Sequence, residues 1–327
     1  MYKVTQSEGF LNLSLNENYF SFCQNSTVSI PNLNIYPDIN LYNKIEGEAS
    51  KLYDVKTENV LLTNGSDDGI FLLQQAFAKK SIIITDPTFS MYEKYAKNLG
   101  LEVIKQPLNG NLTIDVSLLI DNIFKYKPCI VFIPNPNSPT GTMLAIEEIE
   151  GILKTGARIV IDEAYIEFSG NHSSSELLEK YHNLIILRTL SKFYGCAAVR
   201  IGFVICNNIT EVKKYQAPFS VSTINAQVAY NTLLYVNQHG NQVKQFTRDF
   251  IYNREDFLQK LLQKNFGKIY KTEANFVLFE VLNIHKTLEN FQAQKFLVKN
   301  FTNILPNTIR VSLASKEINE QILDCVV

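Results

Sequence analysis

At the centre of the chain stands Ile159-Val160-Ile161-Asp162-Glu163-Ala164-Tyr165, a stretch in which a β-branched apolar run gives way to polar residues. A second apolar run, at residues 184–187, leads in the same way into Arg188-Thr189-Leu190-Ser191-Lys192. Apolar runs without alternation are typical of strands that are buried on both faces. The two stretches therefore predict strands of a parallel sheet that carry polar side chains at their carboxyl ends.

The same alternation of strand and helix extends outward on both sides of this stretch. Further apolar runs lie at residues 60–62, 82–84, 130–133 and 203–205, and segments with helical spacing lie at residues 67–78, 90–99 and 145–154. This alternation predicts an α/β fold with a mostly parallel central sheet and helices on both faces.

The character of the sequence changes after about residue 215. No Asp, Glu, Lys or Arg occurs between residues 215 and 243, which indicates a buried or interfacial segment. A long helix is predicted at residues 243–264, and strands are predicted at residues 276–281 and 309–313. We therefore expect a small α+β domain at residues 216–327, a large domain at residues 36–215, and an N-terminal segment at residues 1–35 that packs with the small domain.

Composition argues against several classes of function. The 327 residues carry a net charge of −1, without the excess of Lys and Arg that nucleic-acid binding needs. No apolar run approaches the roughly 20 residues of a membrane helix. Residues 1–8 lack the apolar core of a signal peptide, so a cytoplasmic location is expected. The five Cys and four His have no metal-binding spacing, and we expect no metal site.

Five polar clusters each follow a predicted strand, at residues 63–67, 86–89, 135–141, 162–165 and 188–192. Ligands of parallel α/β sheets bind at the carboxyl edge of the strands. In the first cluster, Gly65-Ser66-Asp67 opens a helix, where free backbone N–H groups and the helix dipole favour a phosphate. The alternative is a helix cap without a ligand. No GxGxxG or GxxxxGK[ST] pattern is present, which argues against dinucleotide and P-loop sites.

Two of the clusters carry residues suited to a pyridine aldehyde. Asp162 is a carboxylate at the end of a buried strand, which is unfavourable unless a positive group, such as a protonated pyridine nitrogen, lies beside it. Lys192 can lose its proton when desolvated and attack an aldehyde, while Ser191 and Arg200 could both reach a phosphate. Taken singly, Asp162 could cap a helix or bind a metal, and Lys192 and Arg200 could be a surface lysine and a structural arginine.

Taken together, these residues resemble a known family. Asp162-Glu163-Ala164-Tyr165-Ile166-Glu167-Phe168, residues 187–192 and residues 200–203 are similar to the class I and II aminotransferases of pyridoxal-5′-phosphate (PLP) fold type I. Among these enzymes, the chain most resembles the histidinol-phosphate aminotransferases. The likeness continues in order through residues 16–18, 36–38, 65–70, 87–89, 139–141, 217–222, 275–276 and 309–311.

The resemblance implies a role for each matched residue. Lys192 would hold the PLP aldehyde covalently and move protons, Asp162 would pair with the pyridine nitrogen, and Tyr165 would bond the phenolic oxygen. Further cofactor contacts are implied for Ser66, Asp67, Phe89, Asn137, Ser138, Ser191, Arg200 and Tyr36, and Tyr36 would reach the phosphate of the neighbouring subunit in a homodimer. Substrate contacts are implied for Arg310, Asn16 and Lys299.

The chain departs from the family at two of these positions. Ser138 stands where the family usually has Asn, and Lys299 stands where the histidinol-phosphate enzymes have a second phosphate-binding Arg.

The resemblance predicts an aminotransferase that moves an amino group between a phosphorylated or otherwise anionic amine and a 2-oxo acid such as 2-oxoglutarate. A PLP-dependent decarboxylase of a phosphorylated amino acid, of the phosphoserine or phosphothreonine type, would use the same fold and residues. Only the bond held perpendicular to the cofactor ring would differ. A PLP-binding protein without catalysis is a remote third alternative, because Lys192 is present.

Overall fold

A computed structural model describes residues 8–23 and 33–327 of the chain. Its strands are short, and five of them are buried at every residue. The strands are β1 (Leu11–Asn12), β2 (Val60–Thr63), β3 (Ser81–Asp86), β4 (Glu102–Pro107), β5 (Cys129–Pro134), β6 (Arg158–Asp162), β7 (Leu184–Thr189), β8 (Gly202–Cys206), β9 (Phe276–Glu280), β10 (Phe296–Leu297), β11 (Lys299–Asn300) and β12 (Thr308–Ser312).

Helices connect most of these strands. They are α1 (Ile39–Tyr53), α2 (Gly65–Phe77), α3 (Met91–Asn98), α4 (Val116–Tyr126), α5 (Ile146–Leu153), α6 (Ile166–Ser169), α7 (Ile209–Lys213), α8 (Thr223–Gln238), α9 (Gly240–Gln263), α10 (Ile284–Ala293) and α11 (Lys316–Cys325). The helices predicted at residues 67–78, 90–99, 145–154 and 243–264 are confirmed as α2, α3, α5 and α9, whose ends differ by one to three residues.

Seven strands form the central sheet, in the order β2-β8-β7-β6-β5-β3-β4. The pairs from β4 through β3, β5 and β6 to β7 are parallel, while β8 runs antiparallel to both β7 and β2. All six predicted apolar runs are strands of this sheet, and the mostly parallel α/β expectation is confirmed. Because only β8 is reversed, the carboxyl ends of β2, β3, β5, β6 and β7 share one edge with the amino end of β8.

The sheet is buried on both faces, as its unbroken apolar runs predicted. In β6, Ile159 and Ile161 belong to one core cluster and Val160 belongs to another. The same division holds in β7, where Ile186 faces the first cluster and Leu187 faces the second. Alternate side chains of a strand point to opposite faces, so each run contributes to two cores. These two cores hold the strand ends rigidly in register.

A smaller three-stranded antiparallel sheet, in the order β11-β12-β9, follows in the C-terminal part of the chain. The strands predicted at residues 276–281 and 309–313 are confirmed as β9 and β12. In the N-terminal segment, β1 pairs in parallel with β10, and the backbone oxygen of Leu13 accepts a hydrogen bond of 2.8 Å from the amide of Ser312. The domain boundaries at residues 35 and 215 stay predictions, and residues 1–7 and 24–32 lie outside the described part.

Two further findings concern residues 8–23 and 33–327 only. No helix there has the length and apolar content needed to cross a membrane. No three or more His, Cys, Asp or Glu side chains there lie together in a way that could hold a metal ion.

Candidate active site

The predicted site residues meet at the shared edge of the central sheet. Ser66 and Asp67 follow β2, Phe89 follows β3, and Asn137 and Ser138 follow β5. Asp162 and Tyr165 end β6, Ser191 and Lys192 follow β7, and Arg200 precedes the reversed strand β8. The turns that follow five strands and the start of β8 thus meet at one edge. They meet there because the five strands run in the same direction and β8 runs in the opposite one.

A cradle for an anion lies at the first turn of α2. The guanidinium of Arg200 donates to Asp67 Oδ2 at 3.1 Å and to Ser191 Oγ at 3.4 Å, while its side chain is 42% exposed. Gly65 has a φ of +78°, and a Cβ added there would lie 2.6 Å from Arg200 Nη2. Only glycine lets the guanidinium approach the helix N-terminus this closely. The amides of Ser66 and Asp67 belong to this first turn, where backbone N–H groups have no intrahelical acceptor.

Asp162 is buried beneath this edge, with 5% of its surface exposed. Its Oδ2 accepts a 2.7 Å hydrogen bond from the phenol of Tyr92, and its Oδ1 accepts one of 3.1 Å from the amide of Ala164. Burial raises the pKa of the Asp162 carboxyl to about 6, against the lowering effect of these two donors. A buried carboxylate in this position would be stabilised by a cation placed against it.

Lys192 and Tyr165 are held by the N-terminal segment. Lys192 Nζ lies 5.8 Å from the centroid of the Tyr165 ring and donates to the backbone oxygen of Leu15 at 2.8 Å. Asn16 Nδ2 donates to the phenolic oxygen of Tyr165 at 3.0 Å. The backbone oxygen of Ser14, which precedes Leu15, accepts a hydrogen bond of 2.6 Å from Arg310. Three consecutive residues of the segment therefore touch three predicted site residues.

Arg310 projects from β12 into the same site, with 8% of its surface exposed. Its Nη1 donates to Ser138 Oγ at 2.9 Å, and its guanidinium lies 5.0 Å from the ring centroid of Phe276. Lys299 is the cross-strand partner of Arg310 in the antiparallel pair of β11 and β12. Residues directly opposite each other in such a pair share a face of the sheet, so both side chains project from the same face. Lys299 is exposed.

Asn137 and Ser138 differ in what their side chains contact. The amide of Asn137 binds inside its own loop and the neighbouring one: it donates to Pro87 O at 3.1 Å and Thr140 Oγ1 at 3.0 Å and accepts from Thr88 Oγ1 at 2.9 Å. Ser138, by contrast, contacts the Arg310 guanidinium. The structure thus gives Asn137 a role in loop geometry and places the Ser138 hydroxyl in the site.

Two predicted aromatic contacts lie in different surroundings. Phe89 is half-buried and packs edge-on against Tyr92, with ring centroids 5.6 Å apart. Tyr36 is 77% exposed and stacks on Phe219, with centroids 4.7 Å apart and an interplanar angle of 16°. Phe89 therefore packs on the residue whose phenol bonds Asp162, whereas Tyr36 lies at the surface of the protein.

A buried ion-pair cluster supports the two central loops. Arg188 Nη1 contacts Glu163 Oε2 at 2.6 Å and Nη2 contacts Glu167 Oε1 at 2.7 Å. Glu163 also accepts a 2.6 Å hydrogen bond from the amide of Ser174. Arg188 is the penultimate residue of β7, four residues before Lys192, and Glu163 follows Asp162 directly. The cluster therefore ties the loop that carries the lysine to the loop that carries the carboxylate.

Sequence reasoning missed two contributors to this site. Tyr92 was assigned to a helix only, yet its phenol bonds Asp162. The backbone oxygens of Ser14 and Leu15 were not considered, because a backbone acceptor leaves no signal in residue identity. The only sequence sign for Tyr92 is its place on the apolar face of α3, four residues before the buried Ala96.

The arrangement fits PLP on three structural grounds. The cradle between Gly65 and Arg200 suits a phosphate. A side chain at position 65 would fill the space, and the Arg200 guanidinium that faces it binds phosphate oxygens. The raised pKa of Asp162 suits a cationic ring nitrogen. The half-buried amine of Lys192 lies beside Tyr165, where an aldehyde and a phenolic oxygen would be expected.

Comparison with known proteins decides the family. The model for aminotransferase class I and II matches residues 8–324. This chain is a member of the class I and II aminotransferases. It is PLP-dependent, and its sheet is that of fold type I, as the motifs predicted.

The aminotransferase is similar to proteins of several bacteria. The histidinol-phosphate aminotransferase of Caldanaerobacter subterraneus subsp. tengcongensis is 32% identical over 303 residues, which cover 90% of this chain and 84% of that protein. The crystal structure of histidinol-phosphate aminotransferase from Clostridium acetobutylicum matches with a TM-score of 0.85 at 26% identity, over 97% of this chain and 98% of that one. The L-threonine-O-3-phosphate decarboxylase of Porphyromonas gingivalis shares the fold, with a TM-score of 0.80 at 19% identity over 96% and 98% of the chains.

Proposed function

We propose that this aminotransferase acts on a phosphorylated amino donor of the histidinol-phosphate type, with a 2-oxo acid such as 2-oxoglutarate as the amino acceptor. The observation that carries the proposal is the pair of cations on one face of the small sheet, buried Arg310 and exposed Lys299. A substrate with two anionic groups, or one doubly charged phosphate, complements such a pair. The similarity to enzymes named histidinol-phosphate aminotransferase supports the same choice.

The roles of the side chains follow from their positions. PLP, when bound, supplies an electron sink for the charge that develops on the substrate carbon beside the nitrogen. Asp162 would hold the ring nitrogen protonated, and Tyr165, positioned by Asn16, would donate to the phenolic oxygen. The first turn of α2, Ser191 and Arg200 would hold the phosphate.

Lys192 would have the moving part in the reaction. Its amine now donates to the Leu15 carbonyl and must leave that acceptor before it can attack the cofactor aldehyde. Once displaced by the amino donor, the free amine would move a proton between the substrate carbon that bears the nitrogen and the cofactor. A positioned general acid–base group of this kind contributes about 10² to 10⁴ in rate.

One experiment separates the aminotransferase from the decarboxylase alternative. The PLP-loaded protein is incubated with L-histidinol phosphate and 2-oxoglutarate, and glutamate is measured; parallel reactions contain O-phospho-L-serine or O-phospho-L-threonine, and released CO₂ is measured. The proposal requires glutamate formation that depends on the phosphorylated donor. Release of CO₂ without glutamate would replace it with the decarboxylase.

Replacing Arg310 by methionine tests the substrate assignment. Methionine keeps the packing against Phe276 but removes the charge, so we expect KM for the phosphorylated donor to rise about 100-fold, in line with the loss of a buried charged partner. The PLP dissociation constant should change far less, by about twofold, because the Gly65 and Arg200 cradle and the Asp162 carboxylate remain in place. Steady-state kinetics and PLP titration give both values.

Arg248→Met is the matched control for that variant, because Arg248 is exposed on α9 and donates to Gln245. Its KM should equal that of the unchanged protein. An Arg310→Met enzyme with an unaltered KM for every anionic donor tested would remove Arg310 from the substrate site.

We also propose that the enzyme is a homodimer in which Tyr36 binds the phosphate of the neighbouring subunit. The exposure of Tyr36 supports this, because a side chain at the surface is accessible to a second chain, and its stacking on Phe219 holds the ring there. Tyr36→Phe should raise the PLP dissociation constant about tenfold, since one hydrogen bond to a charged group is lost.

Mixed dimers test whether Tyr36 acts on its neighbour. When Tyr36→Phe subunits are mixed with Lys192→Ala subunits and allowed to exchange, each mixed dimer contains one site with both Lys192 and a partner's tyrosine. Such mixtures should acquire sites with the PLP affinity of the unchanged enzyme. If mixing restores nothing although size measurements show mixed dimers, Tyr36 acts within its own subunit or not at all.

A further inference from the structure

Tyr92 links two parts of the site that the mechanism treats separately. Its phenol donates to Asp162 Oδ2 at 2.7 Å, and its backbone oxygen accepts a 2.9 Å hydrogen bond from Gln74 Nε2. Gln74 lies on α2, the helix whose first turn forms the phosphate cradle. A continuous chain of contacts therefore runs from the helix of the cradle, through Gln74 and Tyr92, to the carboxylate at the end of β6.

The surroundings of Tyr92 give its ring one position. The side chain has 0% exposure, stacks on Phe132 with centroids 5.1 Å apart, and meets the edge of Phe89 at 5.6 Å. Gln74 is also buried, at 1% exposure. Polar groups in a closely packed interior have few alternative partners, so a phenol placed there by its ring fixes the acceptor that it meets.

The hydrogen bonds of Asp162 leave it free to accept from a further group. Tyr92 uses one site on Oδ2 and the Ala164 amide uses one site on Oδ1. A carboxylate has about four acceptor sites, so each oxygen retains another. Two donors on different oxygens also prevent rotation of the group about its Cβ–Cγ bond.

We propose that Tyr92 is a positioning residue that, together with Gln74, holds the Asp162 carboxylate in one orientation at a set distance from the phosphate cradle. The inference rests on the proposed role of Asp162 as the partner of the PLP ring nitrogen. The pyridine ring of PLP is rigid, and its phosphate is joined through one methylene group to the carbon two positions from the ring nitrogen, so the distance between the two groups varies little. A protein that fixes both anchors in advance binds PLP without having to rearrange.

The hydrogen bond from Tyr92 also affects the charge of Asp162. The Tyr92 hydrogen bond lowers the pKa of the carboxyl and so opposes the effect of burial, whereas the charges of Asp67 and Glu163 raise it further. Tyr92 thus favours the ionised form that a cationic ring nitrogen requires.

Tyr92→Phe tests the proposal, because it removes one O–H and keeps the ring. PLP is titrated into the apo protein across a range of pH. We expect the dissociation constant to rise about tenfold, and the acidic limb of the affinity profile to move to higher pH because Asp162 then ionises less readily. The titration of the PLP phosphate is common to all variants and cancels in the comparison.

Tyr95→Phe is the matched control, because Tyr95 lies on the same helix and packs against Phe71, with centroids 5.4 Å apart. It should leave both the affinity and the profile unchanged. Gln74→Met retains the phenol but releases the Tyr92 backbone, and it should weaken PLP binding in the same direction by a smaller factor. This variant keeps the test open if Tyr92→Phe does not fold.

The outcomes separate this inference from the proposed function. If Tyr92→Phe and Gln74→Met lower thermal stability but leave the PLP affinity and its acidic limb unchanged, Tyr92 is only a packing residue and the inference fails. If in that case Asp162→Asn still weakens PLP binding, the role of Asp162 stands. If Asp162→Asn binds PLP normally as well, the positioning role of Tyr92 and the proposed role of Asp162 both fail.

Discussion

Replacing Lys192 by alanine should abolish turnover, with a loss of about 10⁴-fold or more. In the proposed mechanism Lys192 is both the nucleophile that holds the cofactor and the group that moves the proton, and the loss of either role would reach this scale. The cradle around Arg200 and the Asp162 anchor remain, so PLP should still bind, but reversibly. Borohydride treatment followed by mass spectrometry measures the difference, because only the unchanged protein should retain PLP on the peptide that contains residue 192.

Lys214→Ala is the matched control for that loss. Lys214 is an exposed lysine that pairs with Glu211 at 2.9 Å. It should leave turnover and borohydride labelling unchanged. If the Lys192→Ala variant turned over as fast as the unchanged protein, or if borohydride labelled another lysine, a different amine would attack the cofactor.

The central sheet could be predicted because burial on two faces leaves a strong trace in sequence. Each of the six predicted runs is apolar at successive positions, and the structure divides them between two cores. Strand β4 was missed for the opposite reason. It lies at the edge of the sheet, and of its six residues only Gln106 is buried, so its sequence carries polar residues such as Glu102 and Lys105.

Helices α1 and α8 were not predicted, because each packs mainly against the other and neither has a wide apolar face of its own. In α1 the buried positions include Ile45, Ala49 and Tyr53, a narrow stripe within an otherwise polar segment. The uncharged segment 215–243 contains α8, which packs against α1. A stripe that narrow is weak evidence for a helix until its partner is known, and tertiary packing supplies most of the stability of such helices.

The site could be predicted as a set of residues but not as a network. The rule that parallel strands end at one edge was enough to bring the glycine turn, Asp162 and Lys192 together. No rule of spacing joins Tyr92 to Asp162 across 70 residues, or Asn16 to Tyr165 across 149. Those contacts depend on helix α3 and the N-terminal segment packing on the sheet, which short-range patterns do not report.

The same limit applies to Ser138. The resemblance implies a cofactor contact for Ser138, but the sequence does not show that its hydroxyl also contacts Arg310, at 2.9 Å. A hydroxyl can donate and accept at once, so Ser138 can accept from Arg310 while it donates to the cofactor.

Replacing Asp162 by asparagine should change stability and activity in opposite directions. In the role proposed for Asp162, the variant of the holoenzyme loses the charge opposite the ring nitrogen, and breaking a buried ion pair of this kind costs about 3–5 kcal/mol, or roughly 150-fold to 4,000-fold in activity. In the apo protein the same change should be stabilising. The pKa of Asp162 is raised from 3.8 to about 6, which corresponds to an upper limit of about 3 kcal/mol for keeping it ionised.

The sign of the pH dependence follows from that raised pKa. The folded apo protein holds a proton on Asp162 more tightly than the unfolded chain, so the contribution of this group to stability is fully present below about pH 4 and is lost as the pH rises through 6. The apo variant should therefore be more stable than the unchanged apo protein at pH 7 and equal to it near pH 4. Asp121→Asn, on the exposed side of α4, should have the same stability relative to the unchanged apo protein at both pH values. Denaturant unfolding of the apo proteins at both pH values measures the difference, and an Asp162→Asn protein that is less stable at pH 7 would mean that the buried carboxylate already has a compensating partner without PLP.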